Sequence, residues 1–252
     1  MDRFDAFALS LHAMSVASLL VFLFFTARYF LHMFQLNSYT ARVQWNWMRE
    51  NKRRLIPQCA ALAAAIACAF VRPHGGAYGY GLFALVCLAL AVCCLPKKAK
   101  KPLVYTARLK RLFVTLSLLA ALPLVLAVLL GGTGEFVLFG LTALALPFLV
   151  PLANKINSPL ERAVRNYYIR DAKKLLASCK NLKIIGVTGS FGKTSVKYYL
   201  THLLEVRYNT LMTPESYNTP MGVVKTIRAS LRATHEIFVC EMGAKYVGDI
   251  KE

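Results

Sequence analysis

Long apolar segments dominate the first 154 residues of the chain, and short polar loops separate them. The five segments are 6–34, 55–71, 78–95, 112–130 and 136–152. A helix needs about 20 apolar residues to cross a bilayer, and these segments come close to that length or exceed it. The pattern therefore predicts a multi-pass α-helical membrane domain over residues 1–154, with the lipid bilayer as its partner.

Residues 155–182 change to an amphipathic pattern, which predicts a connector helix. Its apolar side chains recur every three or four residues, as they do on one face of a helix. They are Leu160, Val164, Tyr168, Ala172, Leu175 and Cys179. Two placements stay open, one on the membrane surface and one against the domain that follows.

Residues 183–252 alternate between short strand patterns and helix patterns. Strands are expected at 183–187, 208–212 and 236–240, with the first one buried, and helices at 193–206 and 221–231. Two successive strand–helix–strand crossovers give a parallel sheet. We therefore expect an α/β domain with a partial, doubly wound parallel sheet. The buried face of its first helix is predicted to hold Val196, Tyr199, Leu200, Leu203 and Leu204.

Charge gives the membrane domain an orientation. The chain is 57% hydrophobic and carries a formal net charge of +19. Five Lys or Arg lie in loop 37–54 and seven in loop 96–111, against one in 72–77 and none in 131–135. Basic loops stay in the cytoplasm, so the N-terminus is expected outside and the α/β domain inside, at the plasma membrane of a bacterium. Nucleic-acid binding would explain the charge but not the apolar segments, so no nucleic-acid partner is expected.

A glycine-rich loop joins the first strand of the α/β domain to its first helix. It reads Thr188-Gly189-Ser190-Phe191-Gly192-Lys193-Thr194-Ser195. Strand, glycine loop and helix in this order are typical of a P-loop, in which backbone N–H groups cradle phosphates, a lysine reaches the outer phosphates and a hydroxyl binds Mg²⁺. The strict pattern has a further glycine where this chain has Val187.

Two further loops follow strands and are therefore expected at the same edge of the sheet. Glu241 ends the third strand, where a carboxylate either binds Mg²⁺ or merely caps the strand. Residues 213–222 follow the second strand, either as a nucleotide contact or as a turn. Both alternatives stay open from the residues alone.

Three segments in order, TGSFGKTS (188–195), TPESYNTPMGV (213–223) and EMGAKYVGDI (241–250), resemble the central ATP-binding domain of the Mur ligase family. The resemblance implies an ATP-dependent acid–amino acid ligase of peptidoglycan precursor synthesis that acts through an acyl phosphate. It implies ATP binding by residues 188–195 and Asn218, with Lys193 as the catalytic residue on the β- and γ-phosphates. It also implies Mg²⁺ ligation by Thr194 and Glu241.

The chain departs from the family in two respects. Five apolar segments precede the ATP-binding motifs, where the family has a soluble domain for the UDP-sugar. The implied acceptor is therefore a UDP-muramoyl-peptide or a related, lipid-linked wall precursor. The resemblance stops at Glu252, so we expect an N-terminal portion that is inactive alone. The alternative is a non-catalytic membrane scaffold or nucleotide sensor with a degenerate ATP-binding module.

Overall fold

The computed structural model describes residues 3–75, 77–96 and 101–244. The chain divides into two compact units, Met1–Ser158 and Pro159–Glu252. Each unit is described by itself.

The first unit is built from helices. They are α1 (Arg3–Leu36), α2 (Ala41–Glu50), a short 3₁₀ helix (Lys52–Leu55), α3 (Ile56–Gly75), α4 (Tyr78–Cys93), α5 (Ala107–Leu130) and the first part of α6 (Gly132–Ser178). By length and composition, four stretches within the described residues could cross a membrane: Ala6–Leu36, Lys52–Val71, Ala107–Leu130 and Gly132–Ser178. The third predicted segment forms α4, which is apolar but only 16 residues long.

The core of the first unit is aromatic. Its largest fully buried rings come from α1, α4 and α6: Phe22, Phe30, Phe34, Phe83, Phe136 and Phe139. The rings of Phe83 and Phe139 stack at 6.0 Å between centroids. Helix α1 packs along α4 and also contacts α5 and α2, so the first apolar segment lies at the centre of the packing.

Polar contacts tie the helices together at one end of this unit. The carboxylate of Glu135, at the start of α6, is buried; it accepts a hydrogen bond from Tyr80 Oη at 2.9 Å and lies 2.5 Å from His12 Nε2. These contacts join the starts of α4 and α6 to the N-terminal part of α1.

A second set of contacts joins the end of α1 and the start of α5 to each other and to the middle of α6. Arg108 donates to Asn154 Oδ1 at 3.2 Å, and its guanidinium lies 4.0 Å from the centroid of the Tyr39 ring. Gln35 Nε2 donates to the carbonyl of Val104 at 2.8 Å, and Gln35 Oε1 accepts from the Val104 N–H at 3.1 Å. The two basic loops predicted to be cytoplasmic, 37–54 and 96–111, therefore lie at the same end of the helices.

Helix α6 departs from the predicted boundaries. We expected a helix ending near 152 and a separate connector helix within 155–182, but one helix runs over Gly132–Ser178 and contains Pro147, Pro151 and Pro159. A proline inside a helix removes one N–H from the hydrogen-bond ladder and crowds the carbonyl four residues earlier, but in a membrane helix neighbouring groups can satisfy the freed carbonyl. Proline therefore did not end the helix here.

The second unit contains a three-stranded sheet. Strands β1 (Lys183–Val187), β2 (Thr210–Met212) and β3 (Ile237–Glu241) alternate with helices α7 (Lys193–Glu205) and α8 (Pro220–Ser230). Their order is β1-β3-β2 and both pairings are parallel, with Val187 opposite Glu241 and Met212 opposite Val239. The predicted parallel sheet is confirmed.

Helices cover both faces of this sheet. Ile237 and Val239 of β3 pack on one face with Leu200 and Leu204 of α7. The alternating residues Phe238 and Cys240 pack on the other with α8 and with the last part of α6, through Ala172, Tyr168, Ile169 and Leu176. This segment of α6 thus follows the second of the two open alternatives and packs on the α/β unit.

Two predicted faces are wrong in part, although Val187 of β1 is buried and Leu200 and Leu204 of α7 do pack on the sheet. Ile184 is 55% exposed, because β1 lies at an edge of the described sheet. On α7, Val196, Tyr199 and Leu203 are exposed, and the side chains turned to the sheet are Lys197, Leu200, Thr201 and Leu204. The spacing of apolar residues along α7 fits two neighbouring faces of the helix. The face that contains Lys197 turns to the sheet because Lys197 finds its polar partners there.

Candidate functional site

The carboxyl ends of the three parallel strands bring the sequence-predicted residues together. Strand β1 leads into the loop at residues 188–192, hereafter the glycine loop, while β2 leads into Thr213 and β3 ends at Glu241. Thr194 Oγ1 lies 3.1 Å from Glu241 Oε2, and Asn218 Nδ2 lies 3.4 Å from Oε1 of the same carboxylate. Three predicted positions distant in sequence thus share one hydrogen-bonded cluster.

The glycine loop takes backbone conformations that favour glycine. Gly189 has φ of +151° and Gly192 has φ of +73°, and Gly192 serves as the N-cap of α7 in the left-handed region. A Cβ at Gly192 would meet no atom within 4 Å, so the requirement for glycine comes from the backbone rather than from crowding.

The first turn of α7 presents donors to the space above the loop. The N–H groups of Lys193, Thr194 and Ser195 have no hydrogen-bond acceptor in the part of the chain that the structure describes. Such free N–H groups at a helix start carry a partial positive charge and suit an anion. The Lys193 ammonium lies over the same loop and donates to the carbonyl of Gly189 at 2.6 Å.

Other predicted loop residues play no visible part in the cluster. Phe191 is 94% exposed. The side chains of Thr188, Ser190 and Ser195 make no hydrogen bond within the described ranges. The loop pattern predicts that residues here contact phosphate mainly through their backbone N–H groups.

Glu241 is the centre of the cluster. Its carboxylate is 1% exposed and accepts hydrogen bonds from Lys197 and Thr194, both at 3.1 Å on Oε2, and from Asn218. Burial alone would raise the pKa of Glu241, but the hydrogen bonds from Lys197, Thr194 and Asn218, with the charge of Lys197, outweigh it and hold the pKa below its ordinary value. Glu241 is therefore ionised at neutral pH.

Lys197 was missed by the sequence analysis. Its side chain is fully buried, and its ammonium donates to the carbonyl of Glu215 as well as to Glu241. A lysine four residues after Lys193, on the stripe that continues through Leu200, Thr201 and Leu204, is the signal that could have found it. Buried lysine needs a carboxylate partner.

Thr213 was also missed, since the loop that it begins was considered only as a whole. Its hydroxyl is buried and accepts a hydrogen bond from the Glu241 N–H at 3.0 Å, while its own N–H donates to Val239. Asn218 is held in turn by Gly243, whose N–H donates to the Asn218 carbonyl at 2.7 Å. Backbone contacts thus fix both ends of the 213–218 loop beside β3.

The cluster fits one hard cation with oxygen ligands. Thr194 and Glu241 supply a hydroxyl and a carboxylate that already lie within hydrogen-bond distance. No group of three or more His, Cys, Asp and Glu side chains occurs among the described residues. Mg²⁺ usually keeps several waters and takes one or two carboxylates plus substrate phosphates, so a single carboxylate suits it. Lys197 already donates to Oε2, so a cation bound by Glu241 would share this carboxylate with the lysine ammonium.

Comparison with known proteins agrees with the three motifs. The Mur ligase middle domain matches residues 187–252. Two curated relatives are UDP-N-acetylmuramoyl-tripeptide--D-alanyl-D-alanine ligases, from Buchnera aphidicola subsp. Baizongia pistaciae (38% identity over 28% of this chain) and Mycobacterium leprae (39% over 27%). The chain spans only 15% and 13% of their respective lengths. No solved structure matches the chain significantly. The C-terminal part of the chain is thus similar to the middle domain of Mur ligases, which confirms the resemblance inferred from its motifs.

Proposed function

We propose that the chain contributes the membrane anchor and part of the ATP site of an ATP-dependent acid–amino acid ligase of peptidoglycan precursor synthesis. One observation carries the proposal: the glycine loop, Thr194 and Glu241 meet in the region similar to the Mur ligase middle domain. The relatives' printed names suggest a UDP-muramoyl peptide as acceptor, and the apolar helices suggest a membrane-proximal or lipid-linked one.

Each residue of the cluster receives a role consistent with its contacts. Residues 188–195 and Asn218 would hold ATP, with Lys193 on the β- and γ-phosphates, and Thr194 and Glu241 would hold Mg²⁺. When bound, magnesium and ATP supply the activated phosphoryl group that turns a carboxylate into an acyl phosphate open to attack by an amine. Lys197 keeps Glu241 ionised and oriented, and Lys193 supplies fixed positive charge.

The helical unit would cross the plasma membrane with the N-terminus outside and the ATP site in the cytoplasm. The charge asymmetry of the loops supports this orientation. The meeting of both basic loops at one end of the helices agrees with it.

Binding of ATP is the first test. The purified chain in detergent is titrated with ATP and Mg²⁺ in a calorimeter, beside Lys193→Ala and the matched control Lys174→Ala, an exposed lysine of α6. Loss of a charged hydrogen-bond donor costs roughly 1.5–3 kcal/mol, so we expect about 10- to 100-fold weaker binding for Lys193→Ala and no change for Lys174→Ala. Equal binding by all three proteins would refute the assigned phosphate site.

Ligation is the second test, and it uses the protein encoded by the complete reading frame that contains these residues. Phosphate release is followed with UDP-muramoyl tripeptide and D-alanyl-D-alanine, and the amide product is identified by mass spectrometry. ATP-dependent product that disappears in Lys193→Ala supports the ligase. ATP binding without product from any wall precursor would instead favour the scaffold or nucleotide sensor.

A further inference from the structure

A large cavity lies in the helical unit, away from the ATP site. Its volume is about 690 Å³, and it opens between α1, the loop from α2 to the 3₁₀ helix, the end of α4 and residues 102–103. This size is in the range of sites that bind small molecules. An adjoining cavity of about 260 Å³ shares Tyr29, Arg54, Cys93 and Cys94 with it and adds Arg53.

The lining combines positive charge with apolar and aromatic surface. Arg28 and Arg54 supply two guanidinium groups, and His32 lies beside them. Phe25, Tyr29, Met33, Trp47, Leu95 and Leu103 supply most of the remaining wall. Among the described residues, no Asp or Glu lines the cavity, and neither arginine forms an ion pair.

Arg28 lies eight residues before the end of the candidate span Ala6–Leu36, and its side chain is half-buried. An arginine near the end of a span can extend toward the headgroup level, where its positive charge suits an anion. Arg54 is exposed at the cavity, and its guanidinium lies 5.9 Å from the centroid of the Tyr29 ring. Two guanidinium groups that line one cavity favour an anionic occupant with several acceptor oxygens, such as a phosphate.

The apolar part of the wall identifies the kind of phosphate compound. The cavity lies at the end of the helices where the two basic loops meet, the expected level of the cytoplasmic headgroups. Basic pockets between membrane helices at this level bind anionic headgroups, whereas a free soluble phosphate would gain nothing from the aromatic and aliphatic lining. We propose that this cavity binds the phosphate headgroup of an anionic lipid through Arg28 and Arg54.

The inference goes beyond the ligase proposal and needs only the part that places the helical unit in a membrane. Trp47 lines the cavity and provides a probe, while the other tryptophan, Trp45, stacks on Phe148. The Trp45→Phe chain is reconstituted in vesicles that contain increasing fractions of phosphatidylglycerol or phosphatidylcholine brominated near the headgroup. Bromine quenches tryptophan fluorescence at short range, so Trp47 reports which lipid occupies its surroundings.

The comparison is between Arg28→Gln/Arg54→Gln and a charge-matched control, Arg42→Gln/Arg49→Gln, whose arginines are exposed on α2 and do not line the cavity. An arginine near the surface of an anionic membrane changes lipid affinity by about fivefold. We expect phosphatidylglycerol to quench Trp47 at a several-fold lower fraction than phosphatidylcholine. The cavity variant should lose about fivefold of this preference for each arginine. The control removes the same surface charge away from the cavity, so its loss should be clearly smaller.

Three results would overturn the proposal. The first is equal quenching by the two lipids, or none by either. The second is a preference that survives in the cavity variant or falls equally in the control. The third is loss of the preference on adding inorganic phosphate at an ionic strength matched with chloride, which would assign the cavity to a free anion. A failed ligation assay would leave all these outcomes unaffected.

Discussion

Lys197 and Glu241 form a buried ion pair that organises the candidate site. The pair lies between α7 and β3, and each partner has a second contact: Lys197 with the Glu215 carbonyl, and Glu241 with Thr194. A buried charge is tolerated only when its hydrogen bonds are satisfied. This pair therefore links the helix after the glycine loop, the 213–218 loop and the last strand.

Removing the lysine should loosen the second unit. Breaking a buried ion pair by deleting one partner costs about 3–5 kcal/mol, and replacing both partners costs much less. We expect Lys197→Met to lower the opening free energy of β3 amides by this amount, measured by hydrogen exchange and mass spectrometry. Lys197→Met/Glu241→Gln should recover part of the loss, and Lys174→Met should exchange like the wild type. Unchanged exchange in Lys197→Met would show that the pair contributes no stability.

The lowered pKa of Glu241 predicts a dependence on pH. A carboxyl whose pKa is lower in the folded state stabilises that state above its ordinary value, here 4.5, and the contribution disappears as pH falls through the lowered value. The difference in β3 opening free energy between the wild type and Glu241→Gln should therefore be constant around neutral pH and shrink below 4.5. Hydrogen exchange at about pH 7 and about pH 3, corrected for intrinsic rates, measures it. A difference that grows on acidification would contradict the assigned ionisation.

At the scale of elements, the junction of β1, the glycine loop and α7 determines the direction of the first N–H groups of α7. Gly192 ends the loop in a left-handed conformation, and α7 begins at the next residue. The loop can therefore reverse direction and leave the first N–H groups of the helix facing the space beside Glu241 and Lys193.

Substitution at Gly192 tests this geometry. A left-handed residue with a Cβ costs about 1–2 kcal/mol, and asparagine tolerates it better than alanine. We expect Gly192→Ala to speed exchange of the first hydrogen-bonded α7 amides, from Val196 onward, by an amount consistent with that cost and to weaken ATP binding, with a smaller effect for Gly192→Asn. The open space around the site makes steric effects negligible, so an asparagine variant worse than alanine would argue against the conformation.

At the scale of the whole molecule, the expected membrane topology can be checked by labelling. In a cysteine-free background, single cysteines replace Arg42, Lys110 or Thr133, all of which are exposed. The charge of the loops predicts that a membrane-impermeant maleimide added to intact cells labels only Thr133→Cys, and labels all three after the cells are opened. Labelling of Arg42→Cys in intact cells would contradict the proposed orientation and support the opposite one.

Local pattern was sufficient for much of the second unit. The strands and helices near 183–187, 193–205 and 237–241 follow their predicted positions within one or two residues, because apolar periodicity and the glycine loop mark them strongly. The sequence pattern was insufficient where two structures fit the same spacing of residues. Proline suggested a break in α6 that did not occur. On α7 the apolar side chains correctly indicated Leu200 and Leu204 but wrongly added Val196, Tyr199 and Leu203.

The sequence by itself determined the apolar segments, the charge asymmetry of their loops, the parallel sheet and the chemistry available at its edge. Those features depend on residue type and spacing along the chain. Only the tertiary structure decided that Lys197 is buried against Glu241, that Thr213 holds the β3 backbone and that Arg28 and Arg54 share a cavity. Each of these depends on a partner distant in sequence, and the free energy of burying a charge is set by that partner rather than by the neighbouring residues.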